Sequence, residues 1–195
     1  MSQPAHSSMP TARSGAALNR LAGPVGAVDG LAERHAFVKA MRSVASSVTV
    51  VTTDGQAGRH GATVSAFCSV SADPPSALVC LKADSRTALA VACNQTFCVN
   101  VLPQARADIA ERFAGRDDAR VGDRFDGIDH DIQGGWPMIA GATAFLCRLQ
   151  ECLDFGSHGI FVGNVTAVRQ GAPAPLAYLD GAYHKVVPHH PAPVA

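Results

Sequence analysis

The order of strand and helix signals restricts this chain more than any other feature. Residues 47–53 form a run of Val and Thr with strong strand character, stopped by the turn chemistry of Asp54-Gly55. Residues 58–61 read as a loop, and 62–70 as a strand or extended segment. Asp73-Pro74-Pro75 breaks the pattern, because proline lacks an N–H donor and fixes φ. A strand over 76–81 follows, apolar on both faces. Asp84 or Ser85 suits the N-cap of a helix running through Cys93. Residues 96–102 predict a strand, and 105–113 a helix in which Ile109, Ala110 and Phe113 share a face. The polar, Gly-rich stretch 116–135 predicts a long surface loop. Residues 145–153 and 159–169 are the last long strands, and 176–187 predict a short strand or hairpin. Upstream, 32–43 has helical periodicity, with Phe37, Val38 and Met41 on one face. From the first strand the order is β, β, β, α, β, α, β, β, β. A doubly wound sheet needs strand and helix to alternate. A mainly β fold fits better: a mostly antiparallel barrel with a few flanking helices outside.

A chain of 195 residues suits one domain by the usual prior of roughly 100–200 residues. Apolar residues make up 47% and charged residues 16%, which predicts a subunit interface. Lys plus Arg equals Asp plus Glu, so no electrostatic footprint for nucleic acid exists. Apolar runs such as 48–51 and 77–81 fall far short of the about 20 residues that span a bilayer. Residues 1–30 lack the apolar core of a signal peptide and predict a mobile tail, which makes the cytoplasm the expected compartment. The expected domain covers 31–188, with a short tail over 189–195. Six cysteines stay reduced in that compartment. Cys147 and Cys152 are separated by an odd number of strand positions and point to opposite faces. Cys93 and Cys98 sit at a helix end and a strand start. Neither pair has the paired spacing of a zinc site, so no metal and mainly buried free thiols are expected.

Several chemical signatures are missing. No G-x-G-x-x-G follows a strand, and no G-x-x-x-x-G-K-[ST], Glu-x-x-His helix or G-x-S-x-G elbow occurs. The informative stretch is 61–75. Thr63, Ser65, Ser69 and Ser71 share one parity, with Val64, Ala66, Cys68 and Val70 on the other. Such a row is either an exposed strand face or a groove. In a groove, small residues let a flat ring reach backbone N–H and C=O groups, with Gly61 adding close approach at its mouth. Residues 82–87 offer a helix N-terminus for a phosphate, with Lys82 or Arg86 adding charge and Ser85 and Thr87 adding hydroxyls. The alternative is an ordinary capped helix. His158 lies between glycines, a mark of close approach by ligand or backbone. Tyr183 could stack on a ring or belong to the core.

Read in order, Phe37-x-x-x-Met41-Arg42, residues 46–53 and 61–75, Phe97-Cys-Val-Asn-Val-Leu102, Arg112-Phe113-Ala114-Gly115, Arg124-Phe125, Gly156-Ser157-His158 and Tyr183-His184 resemble the short-chain flavin reductases. These are the reductase components of two-component flavin monooxygenases. The resemblance implies a homodimer of Greek-key-like split β-barrels binding FMN or FAD near the subunit interface, with NADH or NADPH giving hydride to flavin N5. It implies that Thr63, Val64, Ser65 and Ala66, with Ser69, Val70 and Ser71, line the ring and ribityl chain. It places Ser85, Arg86 and Thr87 at the phosphate end, His158 near the nicotinamide and Tyr183 at the pocket edge, and Lys82 joins them as a cofactor-binding candidate from its place before the helix. Many relatives carry Gly-Asp-His where Gly156-Ser157-His158 stands here. The implied partner is a flavin-dependent monooxygenase reached by diffusing reduced flavin. Other functions open to such a fold are flavin or haem binding without catalysis, or reduction of a metal chelate or corrin.

Overall fold

The structure, a computed structural model, describes residues 30–189 and divides the chain into two units, Met1–Val38 and Lys39–Ala195. Both predicted tails lie almost wholly outside the described residues. Helix α1 (Arg34–Met41) begins at the boundary of the first unit. The Glu33 carboxylate accepts hydrogen bonds from the N–H groups of His35 and Ala36, at 2.9 and 2.8 Å, and these hold it below the ordinary Glu range. The predicted stripe of Phe37, Val38 and Met41 is exposed.

The second unit is mainly β. In chain order its elements are β1 (Ser46–Ser47), β2 (Thr49–Thr53), β3 (His60–Val64), β4 (Phe67–Ala72), β5 (Pro75–Lys82), α2 (Arg86–Asn94), β6 (Thr96–Val101), α3 (Ala107–Phe113), β7 (His130–Gln133), β8 (Trp136–Ile139), β9 (Thr143–Phe155), β10 (His158–Arg169), β11 (Leu176–Leu179) and β12 (Ala182–Lys185). Seven strands form one sheet in the order β3-β2-β6-β9-β10-β5-β4, and every neighbouring pair is antiparallel. β3 and β4 are the two edges of that sheet, yet only Ser65 and Ala66 separate them in sequence. The sheet therefore curls until its edges approach, and the Cys80 N–H donates to the Ala66 carbonyl at 3.1 Å.

Packing follows the side-chain alternation of the strands. On β5, Ala77, Val79 and Leu81 are buried, while Leu78, Cys80 and Lys82 face outward. Val79 and Leu81 join Val51, Val91, Phe97, Val99 and Phe161 in one core cluster. A second cluster joins Val50, Leu102, Ile109, Phe113, Phe125 and Leu176. Asn100 lies fully buried between β2 and β8. Its Nδ2 donates to the Val50 carbonyl at 3.1 Å and the Thr52 hydroxyl at 3.0 Å, and its Oδ1 accepts from the Ile139 N–H at 2.8 Å.

Three expectations need correction. The extended segment 62–70 is two strands: the chain turns at Ser65-Ala66, and β4 carries a register shift between Ser69 and Ser71. The single hydroxyl row therefore does not form. The stretch 116–135 is more than a surface loop. It ends in β7, which pairs with β8, and it sends Phe125 into the core against Phe113 at 4.9 Å. The cysteines also divide: Cys98 and Cys147 are buried, Cys80 is half-buried, and Cys68, Cys93 and Cys152 are exposed. Among the described residues no helix is long and apolar enough to cross a membrane.

Candidate functional site

The turn between β3 and β4, the end of β5 and the start of β10 enclose a cleft of about 310 Å³. Thr63, Val64, Ser65 and Ala66 form one wall, and Cys80, Lys82, Ser85 and His158 line the rest. Register explains the second wall. His158 opposes Lys82 across β5 and β10, and the Ala83 N–H donates to the Ser157 carbonyl at 3.1 Å. β3 pairs with β2 alone, so no strand covers its other edge, where Arg124 takes the Gly61 carbonyl. A row of free N–H and C=O groups beside small side chains can pair with the polar rim of a flat heterocycle.

Polar side chains in this cleft are already oriented. Thr63 Oγ1 donates to the Ala110 carbonyl at 2.7 Å, which anchors β3 to α3. Lys82 Nζ donates to the Asp84 carboxylate, with 3.0 Å to Oδ1. Ser157 Oγ lies 2.9 Å from His158 Nδ1, so the neighbouring hydroxyl fixes the imidazole ring. Ser85 Oγ accepts from the Ala88 N–H at 3.1 Å and is the N-cap of α2, which the sequence predicts. Burial pushes the Cys80 thiol up, with Cys68 adding to the effect, so it stays protonated.

A second cavity, of about 180 Å³, adjoins the first across Ala62 and Ser85, which line both. Arg59, His60, Arg86, Thr87, Asp123, Arg124 and Phe125 are among the other residues that line it. Two of its three arginines are committed. Arg59 Nη2 donates to Asp123 Oδ2 at 2.6 Å and Nη1 to His130 Nε2 at 2.9 Å, and its guanidinium lies 4.6 Å from the Phe125 ring centroid. His130 accepts at Nε2 because its Nδ1–H donates to the Ile128 carbonyl at 2.6 Å. Arg124 grips the Asp118 carboxylate at 2.8 and 2.6 Å, while Nη1 donates to the carbonyls of Gly61 and Phe113, both at 2.9 Å. That hydrogen bonding holds the Asp118 carboxyl below the ordinary Asp range. The Asp123 carboxyl also lies low: burial would raise it, but the Phe125 N–H and Arg59 outweigh burial. Among the described residues Arg86 makes no ion pair and acts on Asp118 only at longer range. It is the cavity's one arginine free to meet an anion, at the start of a nine-residue helix.

A third cleft, of about 210 Å³, shares Thr63, Val64 and Ser65 with the first and is lined by Tyr178 and Tyr183. These tyrosines oppose each other on β11 and β12, ring centroids 5.7 Å apart. Burial, with Glu111 adding, pushes the Tyr183 phenol up.

Of the predicted residues, Thr63, Val64, Ser65, Ala66, Lys82, Ser85 and His158 thus meet in one cleft, and Ser85, Arg86 and Thr87 in the adjoining one. Tyr183 faces its own cleft across β3. Ser69, Val70 and Ser71 lie on β4 and line none of the three, and Ser71 Oγ donates to the Asp73 carbonyl at 2.9 Å. The glycines that suggested close ligand approach also serve packing and turn geometry, and Gly61 lines the second cavity. A Cβ on Gly61 would come within 2.6 Å of the Phe113 ring, one on Gly159 within 2.8 Å of Phe161, and Gly156 turns at φ +59°. Arg59 and Asp123 are absent from the sequence expectation. Alternating Asp and Arg over 116–126 signals ion pairing, but Arg59, the partner of Asp123, lies 64 positions away.

Comparison with known proteins matches this geometry. Residues 41–186 match the flavin reductase like domain. FMN reductase (NADH) RutF 2 of Methylorubrum extorquens (strain PA1) is 38% identical over 155 residues, covering 78% of this chain and 89% of the relative. The crystal structure of nitrilotriacetate monooxygenase component B from Mycobacterium thermoresistibile superposes with a TM-score of 0.73 at 28% identity, covering 83% of this chain and 91% of that one. The NADH:FAD oxidoreductase SgcE6 of Streptomyces globisporus C-1027, in complex with NAD and FAD fragments, gives 0.72 at 29% identity, covering 80% and 94%. With an antiparallel sheet curled edge to edge and a cleft where those edges meet, the chain belongs to the flavin reductase like domain family.

Proposed function

We propose that this chain is an NAD(P)H:flavin oxidoreductase that reduces freely exchanging FMN or FAD and supplies reduced flavin to a partner monooxygenase. One observation carries the reading: a small-residue cleft and a cavity with an unpaired arginine adjoin each other at Ala62 and Ser85. A flavin needs that pairing, a flat ring at one end and a phosphate at the other.

The residues fit the molecule. Val64, Ser65 and Ala66 leave room for the isoalloxazine, and the free edge of β3 meets its polar rim. The start of α2, with Arg86 and Thr87, takes the phosphate. His158, held by Ser157, orients the nicotinamide from the opposite wall. When bound, flavin accepts hydride at N5 from NAD(P)H. The chain itself has to align two rings and keep them apart from bulk water, which explains a site without a catalytic triad. Open clefts and small side chains suit rapid exchange, with a roughly micromolar Kd, about −8 kcal/mol. Such a reductase works in the cytoplasm, where NAD(P)H is supplied.

The curled sheet is read as a split barrel that works as a homodimer. Val70, Leu153, Phe155 and Val168 are exposed on β4, β9 and β10, with Phe155 at 78% exposure. The β9–β10 hairpin also runs on past Arg148, where pairing with β6 ends. A second copy covering this apolar surface would also wall the open side of the cleft.

The direct test is steady-state oxidation of NADH and NADPH by the purified chain, with FMN and with FAD. Flavin-dependent turnover is expected, and none with any of the four combinations would reject the reading. His158→Ala is expected to raise the KM for the nicotinamide nucleotide about 2- to 10-fold, the worth of one hydrogen bond. The KM for flavin should move less, and an unchanged nucleotide KM would remove His158 from this role.

A further inference from the structure

We infer that the Arg59–Asp123 ion pair makes the site select the mononucleotide flavin over the dinucleotide. This rests on the proposed flavin reading and extends it to a choice that reading leaves open. FMN and FAD share the ring, the ribityl chain and the first phosphate. They differ only beyond that phosphate, where FMN ends in a monoester and FAD continues into a second phosphate and an adenosine. Selection between them must therefore act in the space past Ser85, which is the second cavity.

Three properties of that cavity favour the shorter ligand. The first is size. Sites for drug-sized ligands run to about 300–1,000 Å³. The ring cleft, at about 310 Å³, reaches that range, and the phosphate cavity, at about 180 Å³, does not. It has room for a phosphate group, and an adenosine would have to extend beyond it.

The second is charge. Asp123 and His130 already occupy Arg59, and Asp118 with two carbonyls occupies Arg124. Of the three arginines only Arg86, with the N-terminus of α2, remains to meet an anion. A terminal monoester carries about −1.5 to −2 charges near neutral pH, so it answers that single cation and helix end well. A second phosphate would sit beside the Asp123 carboxylate, with the nearest guanidinium already paired.

The third is stacking. Stacking on an aromatic face would favour an adenine, and Phe125 has none to give. Arg59 covers the ring at 4.6 Å, Phe113 packs against it at 4.9 Å and His130 at 5.0 Å. Admitting the longer ligand requires Arg59 to swing off Phe125 and release Asp123. Arg124 cannot give way in its place, because it is fixed to two backbone carbonyls.

The test compares FMN and FAD on the full chain in two ways. One is kcat/KM with NADH held constant, and the other is equilibrium binding followed by flavin fluorescence without NADH. The wild-type chain is expected to favour FMN by about tenfold or more in both measurements. Arg59→Ala, which empties the far wall, is expected to bring the ratio to within about threefold, mainly by tightening FAD. Asp123→Asn keeps the shape while weakening the latch, and it should narrow the ratio in the same direction even if Arg59→Ala does not fold. Wild-type preference for FAD, or equal use of both, would overturn the selection. So would variants with native circular dichroism that keep the wild-type ratio. These outcomes differ from failure of the underlying reading, in which neither flavin binds or turns over.

Discussion

Asn100→Leu is expected to cost about 3–5 kcal/mol of folding stability, the largest effect of any single change considered for this chain. The substitution keeps approximate volume and removes only the amide. What it leaves behind is costly. The Ile139 N–H loses its acceptor and the Val50 carbonyl loses a donor, both in a fully buried setting, while the Thr52 hydroxyl keeps its bond to the Pro137 carbonyl. Each such orphan costs about 1–3 kcal/mol. β8 also loses one of its ties to the main sheet, keeping the bond from the Thr52 hydroxyl of β2 to its Pro137 carbonyl. For a chain of this size the melting temperature should fall by roughly 10 °C, at about 2–4 °C per kcal/mol. Urea unfolding of both proteins measures this, and a loss below about 1 kcal/mol would show that water or neighbouring groups can replace the amide.

The second large effect concerns binding. Arg86→Ala should weaken FMN binding about tenfold, which is the lower end of the roughly 1.5–3 kcal/mol of a hydrogen bond to a charged group. The lower end applies because Arg86 is exposed and screened by salt. Riboflavin shares the ring and ribityl chain but has no phosphate, and its affinity should stay the same. Fluorescence titration of the two ligands at two salt concentrations separates a phosphate contact from general damage. Equal losses for both would show that Arg86 shapes the cleft rather than meeting an anion there.

Much of this architecture is legible along the chain, and the boundaries of legibility are physical. Ser85 announces α2 because capping is local: the hydroxyl and the Ala88 N–H it satisfies are three residues apart. The Val and Thr run of β2 is similarly plain, since a strand buried on both faces needs no alternation. The hydroxyl row misleads because parity assumes a continuous strand, and the turn at Ser65-Ala66 followed by the irregularity before Ser71 resets it. Part of the row, Thr63 and Ser65, still reaches the cleft. The stretch 116–135 conceals a core aromatic and a strand because its polarity comes from ions that cancel on folding. Asp118 meets Arg124 locally, but Asp123 meets Arg59 and Arg124 meets Gly61 across long separations that no window reveals.

Arg124 joins parts of the chain made far apart in time. Its guanidinium reaches back 63 positions to the carbonyl of Gly61, beside the wall of the phosphate cavity. That cavity cannot be complete while a nascent chain still lacks residue 124, so competence to bind arrives late in synthesis. It also follows that a bound ligand reinforces the closure of this wall, because whatever binds only the folded form stabilises it by mass action. Arg124 takes part in that closure without having to touch the ligand.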